Sequence, residues 1–146
     1  MRLAAYQPDI PQNLGALMRL SVCFGAPLHV IEPCGFPFSA KAVKKAAMDY
    51  ATEAEVIAHP SWTRYLADRP AGRLVLLTTK GAKPIWDHDF EPGDTLLLGR
   101  ESAGVPDKVH EAADVRAFIP MPGGGRSLNV AMAAGIAVAE ASRQLR

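Results

Sequence analysis

The sequence predicts an α/β domain in which a largely parallel sheet is covered by helices on both faces. Three observations carry this. Short unbroken apolar runs recur along the chain, as expected of strands buried on both sides. Stretches with helical spacing of apolar residues lie between them, and glycine or proline punctuates most junctions. With 146 residues and 49% hydrophobic content, the chain fits one compact domain over 1–146 with a sizeable core.

Residues 3–6 read as the first buried strand, closed by Gln7 and Pro8. Pro11 suits the first turn of a helix, where its missing N–H has no intrahelical partner to lose. Leu14, Leu17, Met18 and Leu20 carry that helix forward, and Gly25 ends it. Residues 28–31 form the next strand. The run 32–37, with two prolines and a glycine, continues neither element. Ser39 is placed to cap a helix bearing Lys41, Lys44 and Lys45. A strand is expected over 54–58, a helix capped by Ser61 over 62–68, and strands over 74–78 and 95–98. Residues 106–112 read as a helix, 115–118 as a strand, and 127–145 as the last helix, with Ser127 as its cap. No repeat, low-complexity tract or linker divides the chain.

Bulk properties narrow the class. Sixteen basic and fifteen acidic residues leave a net charge of +1, so any nucleic-acid contact must rest on a local basic face. Cys23 and Cys34 have no histidine at zinc spacing and cannot form a multi-bridge framework, which fits a reduced, cytoplasmic protein. The start is interrupted by polar residues too early for a signal peptide, and the apolar run 130–139 is too short to span a bilayer. His29, His59, His88 and His110 are scattered and show no metal spacing; structural roles are expected of them.

In parallel sheets, ligands gather beyond the carboxyl ends of the strands. The loops after Tyr6, Thr78, Leu98 and Phe118 therefore form a candidate rim. The first leads to Asn13 and Arg19, polar residues on an otherwise apolar helix. At about 100° per residue they lie far apart around it, so a ligand must be wide to meet both. The loop after Leu98 opens directly into Gly99, Arg100 and Glu101. There Arg100 could meet a phosphate, and Glu101 could hold a neighbouring loop or a substrate hydroxyl. The stretch 119–130 turns through Pro120, Pro122 and three glycines, Gly123, Gly124 and Gly125, before Arg126, Ser127 and Asn129. Glycines there would let a ligand approach the backbone closely.

Taken together, three segments resemble the motifs of the SpoU group of SPOUT RNA methyltransferases. They are Asn13, Leu14 and Gly15 with Arg19; the run from Leu98 to Pro106; and Ile119, Pro120 and Met121 with Ser127, Leu128, Asn129 and Val130. Their order and spacing match along almost the whole chain. The opening Tyr6-Gln7-Pro8-Asp9-Ile10-Pro11-Gln12-Asn13, the Ile31-Glu32-Pro33 run, Gly35 and Phe36, Asp49 and Tyr50, and Leu77-Thr78-Thr79-Lys80-Gly81 are similar to the TrmL subfamily. Each motif is weak by itself, and the three in series are specific.

The resemblance implies a parallel sheet with a C-terminal trefoil knot, a topology that general rules would reject. It implies S-adenosylmethionine as cosubstrate with no metal, tRNA as substrate, and a homodimer whose sites are completed near the subunit interface. The implied reaction is 2′-O-methylation of the wobble nucleotide, cytidine or modified uridine at position 34, leucine tRNAs included. Carried over residue by residue, Leu77, Gly99, Ile119, Met121, Ser127 and Leu128 are the cofactor contacts, and Asn13, Arg19, Glu101 and Asn129 the catalytic and substrate-positioning set. A guanidinium with pKa above ~12 is a poor resting base, so Arg19 is assigned to phosphate binding and oxyanion stabilisation. The proton acceptor stays open. Lys41, Lys44, Lys45, Lys80 and Lys83 with Arg2 and Arg126 make a candidate tRNA-facing patch. Two departures from the family pattern are the three consecutive glycines and alanine at 139, where some members carry an aromatic residue. Methylation at another tRNA or rRNA position, and a non-catalytic RNA-binding module of the same fold, are the alternatives.

Overall fold

A computed structural model of the protein describes residues 1–39 and 53–146. Among the described residues, seven strands form one sheet in the order β3-β2-β1-β6-β4-β7-β5. The strands are β1 (Arg2–Tyr6), β2 (Leu28–Ile31), β3 (Val56–His59), β4 (Leu74–Leu77), β5 (Lys83–Pro84), β6 (Thr95–Leu98) and β7 (Val115–Phe118). Every pairing is parallel. Both β2 and β6 are buried at all four residues, which is why apolar residues fill consecutive positions in them and the polar His29 and Thr95 are buried as well.

Among the described residues, four helices cover the sheet: α1 (Pro11–Phe24), α2 (Trp62–Asp68), α3 (Asp107–Ala112) and α4 (Val130–Gln144). Leu14, Leu17 and Met18 of α1 and Ala134, Ala137, Val138 and Ala141 of α4 share one core with Leu3, Ala5, Leu96 and Leu98. On the other face, Trp62 and Tyr65 of α2 and Val109 of α3 pack on Ala4, Tyr6, Leu76 and Leu97. The small residues of α4 thus serve close packing on the sheet as well as helix propensity.

Local chemistry explains the boundaries. Pro11 opens α1, and Gly25 closes it in the left-handed conformation with its N–H donating to carbonyls of the last turn. Ser61 Oγ accepts from Arg64 N at 3.1 Å, capping α2 as its sequence predicts. The cap of α4 is different: Asn129 Oδ1 accepts from Ala131 N at 2.9 Å and Met132 N at 3.2 Å, so the helix begins at Val130 and Ser127 lies in the preceding loop. The third strand runs two residues later at its start than expected, and the fourth ends at Leu77.

The two-residue strand β5 and the 3₁₀ turn Ile85–Asp87 have no counterpart in the sequence reading. A strand that short carries no periodic signal; only its pairing with Ala117 and Phe118 defines it. The turn from β4 to β5 crosses β7, with Thr78 N donating to Ala117 O and Ala82 N to Arg116 O. A Cβ on Gly81 would stand 2.6 Å from the Ala117 carbonyl carbon. The lysine-bearing helix expected after Ser39, and Asp49 and Tyr50, lie outside the described residues.

Candidate functional site

The strands β1, β6, β4 and β7 are neighbours in the sheet, and their carboxyl-end loops meet. Between them lies a cleft of about 440 Å³. That size suits a nucleotide-sized ligand. Its wall includes Leu77, Gly99, Ile119, Met121, Ser127 and Leu128, all of the residues expected to hold a cofactor. Asn13, Glu101 and Asn129 line the same cleft. The burial of Leu76 and Leu98 at the strand ends, with Ile119 and Leu128 beside them, makes an apolar wall. Thr78, Thr79 and Ser127 are among its polar lining residues.

The polar side chains are joined in series. Asn129 Nδ2 donates to Asn13 Oδ1 at 2.8 Å, and Asn13 Nδ2 donates to Glu101 Oε1 at 3.2 Å. Glu101 Oε2 in turn accepts from Asp9 N at 2.9 Å. The expectation that Glu101 holds a neighbouring loop is therefore met: it ties the β6 loop to the turn before α1. Burial pushes its carboxyl above the ordinary glutamate value and the neighbouring Asp9 carboxyl adds to the shift, while the N–H donors of Asp9 and Asn13 oppose it. Arg100 faces the same turn, with Nε 3.7 Å from Asp9 Oδ2 and Nη1 3.5 Å from Gln7 Oε1. Its backbone pairs both ways with Gly104 at 2.9 Å, so the loop returns on itself and keeps Gly99 and Glu101 at the rim.

Arg19 is the exception among the expected residues. It is exposed on α1 and does not line the cleft of a single chain. The helical geometry already separated it from Asn13, which is buried. In the glycine run, Gly124 takes φ +78 and its N–H donates to Met121 O at 3.0 Å. A Cβ on Gly123, Gly124 or Gly125 would meet nothing within 4 Å, so the run makes a turn and is not packed against other protein atoms.

Sequence reasoning missed Ile10, Thr79, Val105 and Ala133 in the wall, and Asp9 behind it. Asp9, Ile10, Thr79 and Val105 lie within the runs that carry the resemblance, which assigns them no role, and Ala133 has no signal beyond its place on the last helix. Arg2 departs from its expected place in the basic patch. It stands at the amino end of β1, the rim opposite the cleft, and donates to Gly93 O at 3.0 Å and Ala71 O at 3.4 Å. The histidines are also less scattered than the sequence suggests: His29 Nδ1 and His59 Nε2 meet at 2.9 Å inside the protein. Among the described residues, no cluster of His, Cys, Asp or Glu is placed to bind a metal, and no helix is long and apolar enough to cross a membrane.

Comparison with known proteins gives consistent similarities. Residues 1–139 match the SpoU rRNA Methylase family. A tRNA (cytidine(34)-2'-O)-methyltransferase of Beijerinckia indica is 49% identical over 145 residues, 98% of this chain and 91% of that one. A solved structure described as giving insights into the 2-OH methylation of C/U34 on tRNA superposes with a TM-score of 0.93 at 41% identity, covering 99% of this chain and 95% of the other. An AdoMet-bound rRNA methyltransferase from Sinorhizobium meliloti gives 0.87 at 29% identity, covering 99% of this chain and 56% of that one.

Proposed function

The chain belongs to the SpoU rRNA Methylase family, and from that premise we propose that it methylates the ribose 2′-hydroxyl of nucleotide 34 in tRNA, with S-adenosylmethionine as methyl donor. The carrying observation is the convergence of four neighbouring strand ends on one cleft whose apolar wall and joined Asn13, Glu101 and Asn129 match the motif residues one by one. The near-full-length similarity to tRNA (cytidine(34)-2'-O)-methyltransferases supports the substrate.

S-adenosylmethionine, when bound, supplies a methyl group on a sulfonium, and its size and amphipathic character fit this cleft. Leu77, Ile119, Met121 and Leu128 would enclose its ring, while backbone groups near Gly99 and Ser127 read its polar edge. Asn13, Glu101 and Asn129 orient the ribose for in-line attack, and orientation of this kind supplies much of the rate. Arg19 binds RNA phosphate and stabilises the developing oxyanion. Its exposure outside the cleft supports a homodimer in which Arg19 of a second copy completes the site. Exposed Phe24 on α1 and Met132 on α4, 48% and 62% accessible, give that dimer an apolar surface. The turn 78–82 crossing β7 supports a trefoil passage of the C-terminal segment. Exposed Lys80, Lys83 and Arg126 supply a local basic face for tRNA, and such an enzyme works in the cytoplasm as a single domain over 1–146.

Incubation with methyl-labelled S-adenosylmethionine and tRNA lacking its wobble ribose methyl, followed by mapping of the product nucleotide, tests the proposal. Label at position 34 supports it. Label at another nucleotide overturns the substrate assignment, and binding of both ligands without transfer overturns the enzyme.

A further inference from the structure

Trp86 lies outside both core clusters and the cleft wall. It is 50% exposed, against 6% for Trp62, the chain's other tryptophan. An indole left in water forgoes the burial its large apolar surface would gain. Its backbone is nevertheless firmly seated. Lys83 and Pro84 pair with Ala117 and Phe118, Ile85 is fully buried, and His88 N donates to Ile85 O at 3.2 Å to close the 3₁₀ turn. The buried Ile85 side chain thus leaves Trp86 facing solvent. Because β5 runs parallel to β7, this turn follows the carboxyl ends of the strands, the rim on which the cleft opens. The partner of Pro84, Phe118, leads directly into Ile119 of the cleft wall.

We propose that Trp86 and Lys83 form a docking surface for single-stranded RNA next to the target nucleotide: a neighbouring base stacks on the indole, and flanking phosphates meet Lys83 and Lys80. The inference rests on the reading of the chain as an RNA methyltransferase. Continuity with the cleft is the first argument. Thr78 and Thr79 line it, exposed Lys80 follows them, and exposed Lys83 stands three positions before Trp86. Three residues of chain span at most about 11 Å, so Lys83 and Trp86 reach adjoining nucleotides. Charge is the second argument. Asp87 adjoins Trp86, but Asp89 has already reached the opposite rim, where its carbonyl accepts from Arg73 Nη2 at 2.8 Å. Two lysines against one aspartate leave the surface basic. The core of a protein interface is depleted of charge, whereas exposed Lys83 and Asp87 flank this indole closely. An aromatic ring beside a basic track is how unpaired bases are held, since every base offers a π face.

The test is titration of the full-length protein with an unmodified tRNA anticodon stem-loop, read by intrinsic fluorescence, for wild type and the variants W86A, W86F and K83A. With only two tryptophans, and Trp62 buried, the solvent-exposed emission belongs to Trp86. RNA should quench it in the wild type. W86A should weaken RNA binding about tenfold or more, W86F should keep most of the affinity, and S-adenosylmethionine affinity in W86A should move less than about twofold. K83A should lower the slope of log affinity against log salt by about one. Unchanged RNA affinity in W86A overturns the proposal. So does a change of oligomeric state in W86A by light scattering with an affinity loss that tracks it, which would assign the surface to a second copy of the chain. Should the wild type bind the RNA and transfer no methyl group to tRNA, the functional reading fails while quenching and affinity still decide this surface. Methyl transfer by a wild type whose RNA affinity W86A leaves intact sinks the docking surface alone.

Discussion

Asn129 Nδ2 donates a 2.8 Å hydrogen bond to Asn13 Oδ1, joining side chains 116 positions apart. The same Asn129 carboxamide caps α4 through Oδ1, so one side chain sets where the last helix starts and where the first helix presents Asn13. Its two halves can be separated. In Asn129→Asp a carboxylate still accepts from the Ala131 and Met132 N–H groups, and the helix dipole favours its charge. It cannot donate to Asn13. Stability should be held within about 0.5 kcal/mol while methyl transfer falls on the order of tenfold or more. Asn129→Ala loses the cap as well, at about 1 kcal/mol. Urea denaturation and transfer assays on both variants read this directly; equal stability losses would remove the double role.

Arg19 is exposed on α1 and stands away from the cleft of its own chain. Arg19→Ala should therefore abolish transfer and leave S-adenosylmethionine affinity within about twofold, since the cofactor wall is untouched. If two copies share each site as proposed, mixing R19A protomers with Asn129→Asp protomers should restore activity, because one of the two sites in a heterodimer then combines an intact cleft with an intact Arg19. Titration calorimetry and mixed-subunit assays measure the two effects. Failure of complementation, in a dimer confirmed by light scattering, would place Arg19 in its own chain's site.

The architecture was legible because its signals are local and strong. The largely apolar quartets at 28–31 and 95–98, interrupted only by His29 and Thr95, read as strands buried on both faces, and Ser61 before Trp62 marks a cap by residue type alone. The cleft was legible because its loops carry motif residues. What escaped depends on pairing across the chain. β5 exists through its register with β7, the Ser127 cap loses to Asn129 through loop geometry, and the link from Asp9 to Glu101 spans 92 positions. His29 and His59 likewise sit far apart in sequence, and only the parallel register of β2 with β3 brings them together.

Asp94 is 1% exposed and sits where the turn before β6 meets Arg73. It accepts from Arg73 Nε at 2.9 Å and Nη2 at 2.8 Å, and from Glu91 N at 2.9 Å. The Arg73 hydrogen bonds hold its carboxyl below the ordinary value against the opposing effect of burial. Arg73 is part exposed and without the Asp94 charge keeps Glu91 Oε1 at 3.1 Å and Asp89 O at 2.8 Å, so the loss should be about 1–2 kcal/mol. Asp94→Asn should lower stability by that order while Arg73→Lys, which keeps charge but not the two-pronged geometry, costs less. Because the network lies at the amino ends of the strands, cofactor affinity of the folded fraction should be unchanged; a matched loss in affinity would show the two rims to be coupled.

The stacked pair His29 and His59, ring centroids 5.1 Å apart and both edged by Tyr65, gives the fold a defined acid response. Burial pushes His29 down to about 4, with His59 and Arg2 adding repulsion, and burial lowers His59 as well. Unfolded histidine titrates near ~6.5. The unfolded chain therefore takes up protons first as pH falls, so the pair's contribution is fully present above that value and is lost between about 6.5 and 4. His88, lowered chiefly by burial, acts with the same sign, whereas Asp94 acts below the ordinary aspartate value. Urea midpoints measured from pH 7.5 to 4.5 should drop steeply in the wild type and less so in His29→Leu. The double variant His29→Leu with His59→Leu should be flatter still, retaining the slope due to His88. A slope unchanged in the double variant would mean that the pair takes up its protons without unfolding.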